Sequence, residues 1–302
     1  MRKSILLLMA GLITAAAQPA AAALKIFACE PEWAALASEL GGTRVEAYSA
    51  TTALQDVHKI QARPSLIAKY RQADLVVCTG ADLEIGWLPA LVEKANNPRA
   101  LPGSDGFLEA SRYVSMIEVP EVLDRAQGDV HPFGNPHIQT DPRNITPVAA
   151  ALAERLAKLD PAHAADYRQR HAAFAARWQN AIAEWERKAQ PLRGLRLVST
   201  HKDWSYLNRW LGMIQVATLE PKPGIPPTAA HLSSVLEGLK TQPASMILVA
   251  SYQDHKPAQW LAQRTGLPVI ELPFTVGGVE GTEDLFGLFE VTLNRLLAAA
   301  GP

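Results

Sequence analysis

The chain has almost no net charge and no basic block. Lys and Arg number 29 against 30 Asp and Glu, a formal charge of −1 at pH 7. Neither an Arg/Lys run nor aromatics interleaved with basic residues is present, so nothing points to nucleic acid or an anionic membrane surface as partner. Beyond the amino terminus no apolar run reaches the roughly 20 residues that a membrane helix needs. The H-E-x-x-H pair of many zinc hydrolases is missing. Cysteine is scarce: Cys29 and Cys78 are the two present. Glycine is absent from a 50-residue stretch, Asp141 to Gln190.

That stretch divides the chain. Its prolines, Pro142, Pro147 and Pro161, read as helix starts. From Asp160 it runs as one long helix, with Tyr167, Phe174, Trp178, Ile182 and Trp185 at spacings of three, four and seven along one face. Arg168, Arg170, Arg177, Glu184, Glu186 and Lys188 take other positions. At about 1.5 Å per residue such a helix spans a domain. It reads as a rigid strut between two lobes.

The 302 residues leave room for two domains, and 48% apolar with 20% charged residues is a globular composition. Residues 1–23 read as a cleavable signal peptide: Met1-Arg2-Lys3, the apolar run SILLLMAGLITAAA, then the small residues of PAAAA, with cleavage near Ala22 or Ala23. The mature chain is therefore expected to be soluble and exported. In both halves strand-like and helix-like segments alternate. LKIFAC, TRVEAYSA, ADLVVC and RYVSMIE are the expected strands of an amino-terminal lobe, 24–144. A helical region, 145–192, leads to a carboxy-terminal lobe, 193–302, with expected strands GLRLVST, MIQVATL, ASMILVAS and LPVIELP. The fold class expected is α/β: two lobes with mostly parallel sheets, joined by one long rigid helix. Ligands of such lobes bind beyond the carboxyl ends of the strands.

Cys29 and Cys78 each end an apolar strand-like run. An exported protein permits a disulfide between them if the two strands are neighbours; a pair of buried thiols is the alternative. Eight histidines remain to be sorted. His163 and His171 sit on the strut and His231 on a later helix, where a solvated surface position is expected. His255 follows Asp254 in a turn after the strand ILVAS. His58, His137 and His201 differ, because each stands in a loop just ahead of a helix start at Pro64, Pro142 or Asp203. Such loops can convene polar groups in a cleft. The separations, 79 and 64 residues, are not local zinc-finger spacings. Three cleft imidazoles suggest a zinc site, with ordinary loop histidines the alternative.

Three fragments carry a resemblance. DVHKIQARPSLIAKYRQADLVVCTGADLEIGWLPAL (Asp56 to Leu91), NPHIQTDPRN (Asn135 to Asn144) and LVSTHKDWSYL (Leu197 to Leu207) occur in this order. Together they resemble the zinc/manganese solute-binding proteins of bacterial ABC transporters. The resemblance implies periplasmic capture of a divalent metal by His58, His137 and His201, delivery to an inner-membrane permease, and no catalysis. A monomer is expected. Val57 departs from the usual proline, and Gln139 stands where an aromatic is common. Many zinc members carry a long His-rich acidic insertion; here only GDVHPFG stands in its place.

The family usually adds a carboxylate from an L-D-P near the last strand. Here that region reads IELPFTVGG, and ungapped alignment puts Pro273 on the aspartate. The fourth position is thus left to water, Glu271 or His131. Three imidazoles without that carboxylate favour zinc over manganese. Asp56 and Asp141 are candidates to hold imidazole N–H groups, Asp141 alternatively a helix cap. Two rivals share these features: an exported zinc hydrolase, and a binder of a larger ligand such as a metal chelate.

Overall fold

A computed structural model describes residues 22–121, 128 and 131–301; most of the expected signal peptide lies outside the described residues. In the amino-terminal lobe β1 (Leu24–Ala28) leads into α1 (Pro31–Gly41), β2 (Val45–Ser49), α2 (Pro64–Gln72), β3 (Leu75–Cys78), α3 (Leu88–Ala95) and β4 (Phe107–Glu109). The sheet order is β2-β1-β3-β4, parallel throughout. Two long helices follow, α4 (Pro142–Leu159) and α5 (Ala164–Lys188). The carboxy-terminal lobe comprises β5 (Arg196–Ser199), α6 (Ser205–Leu211), β6 (Ile214–Thr218), α7 (Ala229–Thr241), β7 (Met246–Ala250), α8 (Lys256–Thr265), β8 (Val269–Leu272) and α9 (Leu285–Ala300). It repeats the order, β6-β5-β7-β8, again parallel. The central strands β3 and β7 are apolar and fully buried, as parallel strands covered on both faces must be. No helix among the described residues is long and apolar enough to cross a membrane.

Because β1 lies beside β3, Cys29 and Cys78 meet at the same end of the sheet. They are bridged, with Cα atoms 4.8 Å apart. The strut helix is α5, 25 residues long, entered through a 3₁₀ turn at Pro161–His163. Tyr167, Phe174, Trp178 and Trp185 face the core. The Trp178 ring meets Phe286 and Phe289 of α9 at centroid distances of 4.9 and 5.6 Å, and its indole N–H donates to the Pro142 carbonyl at the head of α4. Trp185 donates to Glu290, which also pairs with Lys188. One apolar cluster therefore runs from α1 and α4 through α5 into α9 and the second sheet. Two lobes sharing a core are joined stiffly.

Several expectations need correction. RYVSMIE is not a strand: β4 is the preceding FLE segment, in register with Val76 to Cys78. The chain then crosses to the other lobe, where the Tyr206 hydroxyl donates to Asn135 O and lies 3.3 Å from Ile117 N. Left-handed φ at Glu118 (53°) ends any extended run. Pro147 falls inside α4 rather than at a start. His163 is not on a solvated face; at the head of α5 its ring lies between Asp160 and Arg44, at 2.7 and 2.6 Å. His231 is half-buried, with Nε2 2.9 Å from the Thr218 carbonyl.

Candidate metal centre

Both sheets reverse their order beside the first strand of each lobe, and the loops leaving the carboxyl ends of the strands face one cleft. The loop after β2 brings His58, the segment after β4 brings His137, and the turn after β5 brings His201. Their ring centroids are 5.3 to 5.9 Å apart, and one nitrogen from each lies within 4.8 Å of the other two. His137 and His201 are buried, and the His58 side chain is 14% exposed.

Each ring is held by its Nδ1. For His58 the acceptor is Asp56 Oδ1 at 2.9 Å, and the same oxygen takes the His58 backbone N–H. For His137 it is Asn135 Oδ1 at 2.8 Å, again with the backbone N–H at 3.0 Å. The Asn135 amide cannot be turned round, because its nitrogen donates to Glu118 and to the Lys202 carbonyl. For His201 it is Glu220 Oε2 at 2.6 Å, an oxygen that also takes the Gly224 N–H. With Nδ1 as donor, the neutral imidazole keeps its lone pair on Nε2. The Nε2 atoms of His58 and His137 are buried with no hydrogen-bond partner. Unpaired buried acceptors that converge are what a cation would satisfy.

His131 stands beside them, 5.5 Å from His58 and 6.4 Å from His137 between centroids. Asp82 and Ala81 beside it are both in left-handed conformation, and its Nε2 is also buried and unpartnered. Glu271 is not brought in. It alternates with Leu272 along β8, so its carboxylate turns away to His255 at 3.4 Å and Arg295 at 3.7 Å. Beyond β8, Phe274 rather than a carboxylate packs on His137, 5.6 Å between ring centroids. Asp141 caps α4 through the Arg143 N–H and pairs with the Arg143 guanidinium, so it holds no imidazole.

The electrostatics divide the rings. Burial, then the neighbouring imidazoles, hold His137 well below its usual range and bring His131 down to about 4. Burial opposes protonation of His201 too, but Asp203 and Glu220 outweigh it and the net displacement is upward. Asp203 is the residue that the sequence did not single out as functional. Expected as a cap for α6, it sits instead in a 3₁₀ turn with a fully buried side chain. Tyr252 and Gln253, from the loop after β7, donate to its two oxygens at 3.1 and 2.6 Å.

A cavity of about 290 Å³ adjoins the rings, its wall including Asp56, His58, His201, Glu220 and Gln253. A larger cavity, about 810 Å³, lies elsewhere, against α3 and β4, and is mainly apolar.

Comparison with known proteins decides the family. Residues 26–299 match the profile of "Zinc-uptake complex component A periplasmic" (ZnuA). The chain belongs to the ZnuA family. It is thus a metal-binding substrate-binding protein of an ABC transporter, working with a membrane permease, and not an enzyme. Among similar curated proteins are the iron ABC transporter substrate-binding lipoprotein MtsA of Streptococcus pyogenes and the manganese counterpart PsaA of Streptococcus pneumoniae. Each is 22% identical over 257 residues, 83% of this chain and 80% of the relative. Among solved structures, FpvC from Pseudomonas aeruginosa in complex with Mn²⁺ superposes with a TM-score of 0.77 at 20% identity, covering 91% of this chain and 98% of that one. A ZnuA crystal structure gives a TM-score of 0.72 at 21% identity, with 91% and 98% covered. ZnuA-family relatives thus share the two-lobe α/β fold, while the metals in their names differ.

Proposed function

We propose that the chain captures zinc in the periplasm through the Nε2 atoms of His58, His137 and His201 and passes it to an inner-membrane ABC permease. The single observation that carries this reading is the set of three Nδ1 acceptors, Asp56, Asn135 and Glu220, which leave one lone pair on each ring for the same space. Neutral imidazoles suit Zn²⁺ at about 2.0–2.1 Å, and three of them select it over the harder Mn²⁺. Donors bound tetrahedrally at that length lie about 3.4 Å apart. Here the nitrogens lie within 4.8 Å of one another, so capture needs side-chain adjustment of about an ångström rather than a domain swing. The shared core around α5 fits small movement of this kind. His131 stands ready at the edge of the cluster, and its unpartnered Nε2 makes it the better placed of the two protein candidates for a further ligand.

The test is dialysis of metal-free protein against equimolar zinc, manganese and iron, with bound metal counted by mass spectrometry. One zinc per chain is expected. His58→Ala, His137→Ala and His201→Ala should each weaken zinc binding by orders of magnitude with unchanged circular dichroism. A variant with wild-type affinity would remove that histidine from the site.

A further inference from the structure

The geometry points to Asp203 as a direct oxygen ligand of the captured ion, which would make the site mixed imidazole and carboxylate rather than all imidazole. This rests on the histidine cluster being the metal site and adds a donor that fixes its selectivity.

Asp203 Oδ1 lies 3.7 Å from His137 Nε2, and both side chains are almost wholly buried. His137 Nδ1 donates to Asn135 Oδ1, whose orientation is fixed, so Nε2 presents a lone pair. A lone pair thus faces a carboxylate oxygen. The separation is too long for a hydrogen bond, so a proton on Asp203 would not bridge it. It is close to the ~3.4 Å between two donors that share a tetrahedral zinc. A cation between them satisfies both atoms at once.

The surroundings hold this oxygen in place. Gln253 Nε2 donates to Oδ2, and the Gln253 amide is itself oriented because its oxygen takes the Ala250 N–H at 2.9 Å. Tyr252 donates once to Oδ1 at 3.1 Å, and a carboxylate oxygen accepts more than one bond. The remaining capacity of Oδ1 faces the His137 imidazole. Among the described residues the ion-pair partner of Asp203 within 4.0 Å is His137, with no Lys or Arg. A buried carboxylate without a fixed cation is costly unless a charge arrives. A purely structural aspartate would be expected to have a permanent counter-charge.

The consequence is selectivity. A carboxylate oxygen beside imidazoles extends the range of the site toward harder divalent ions such as Mn²⁺ and Fe²⁺. Removing it should leave a site narrower for zinc.

The test has a structural and a solution arm. In crystals of the wild-type protein loaded with zinc, Oδ1 is expected at about 2.0–2.2 Å from the metal. Zinc on the histidines with Oδ1 beyond about 3 Å would overturn the assignment while leaving the histidine reading intact; zinc elsewhere would overturn both. In solution, Asp203→Asn should weaken zinc by more than the roughly 10–100-fold typical of residues that merely orient a ligand. It should weaken manganese by a larger factor still, and change the visible d–d spectrum of the Co²⁺-loaded protein. Tyr252→Phe, which removes only the donor to Oδ1, should leave the Co²⁺ spectrum near wild type. An Asp203→Asn spectrum identical to wild type would sink the proposal, and thermal melts of both variants separate ligand loss from misfolding.

Discussion

Glu32 gives the sharpest test of the electrostatics away from the metal site. It is the second residue of α1, 1% exposed, and its carboxylate accepts from the Thr275 hydroxyl, which follows β8 in the other lobe. Glu30 and Glu84 are buried beside it, both taking the Thr79 N–H. Burial raises Glu32 to about 7, the Thr275 and backbone hydrogen bonds lower it only in part, and Glu84 adds to the rise. Burial likewise lifts Glu84 to about 7 and Glu30 well above its usual range. Between pH 4.5 and 7 the folded protein therefore keeps a proton that the unfolded chain has released. Stability falls with pH wherever the folded state binds more protons. The Glu32 contribution is thus fully present below about pH 4.5 and lost as pH rises through about 7. A displacement from 4.5 to about 7 corresponds to about 3 kcal/mol at 1.36 kcal/mol per unit. Glu32→Gln keeps a neutral acceptor for Thr275 and has no charge to bury. Its stability relative to wild type should be nearly level at pH 4.5 and should improve by up to about 3 kcal/mol at pH 8. At roughly 2–4 °C per kcal/mol the melting temperature should rise by about 6–12 °C. The comparison is made on metal-free protein, since bound metal would add its own linkage. A difference between variant and wild type that does not change with pH would mean that Glu32 does not hold this proton in the folded protein.

Two further outcomes are expected. Glu220→Gln removes the charge that fixes the His201 ring from 2.6 Å and should weaken zinc by about 10–100-fold without loss of fold, measured by competition with a chelator. Replacing Cys29 and Cys78 together by Ser opens a link across 49 residues and should cost about 2–4 kcal/mol in urea unfolding while leaving one zinc per chain.

Much of this architecture is legible in the sequence because it rests on local signals. The strut shows in the three-four-seven spacing of its aromatics, and the buried strands in their continuous apolar runs. Cys29 and Cys78 fall together because both end strands that the parallel topology makes neighbours. The errors arise where tertiary contact overrides a local pattern. RYVSMIE alternates as a strand would, yet Met116 and Ile117 meet the Tyr206 hydroxyl of α6 in the other lobe rather than pairing in a sheet. Asp203 reads as a cap ahead of a helical face, but Tyr252 and Gln253, about 50 residues away, capture its oxygens first. Glu271 lies near the carboxyl end of β8 but on the wrong face of the strand, a distinction that one residue of period decides.

The three histidines show how far local reading extends. Asp56-Val57-His58 and Asn135-Pro136-His137 share one device: an Asx side chain two residues upstream accepts both the backbone N–H and the ring Nδ1–H of the histidine. That device is visible in sequence as D-x-H and N-x-H, and it fixes tautomer and ring direction without help from elsewhere. His201 has Ser199 at the same position, and a serine hydroxyl cannot play that part here, because it bonds to the His201 carbonyl and to Gln215. The ring must then be oriented from outside its own turn. Parallel pairing of β5 with β6 brings the loop after β6 alongside, and Glu220, 19 residues on, supplies the missing acceptor. A carboxylate takes this place where an amide serves His137, and with Asp203 on its other side His201 is the ring whose protonation the protein favours. On the proposed reading it is therefore the histidine at which protons should compete most strongly with the metal, while burial holds His137 well below its usual range.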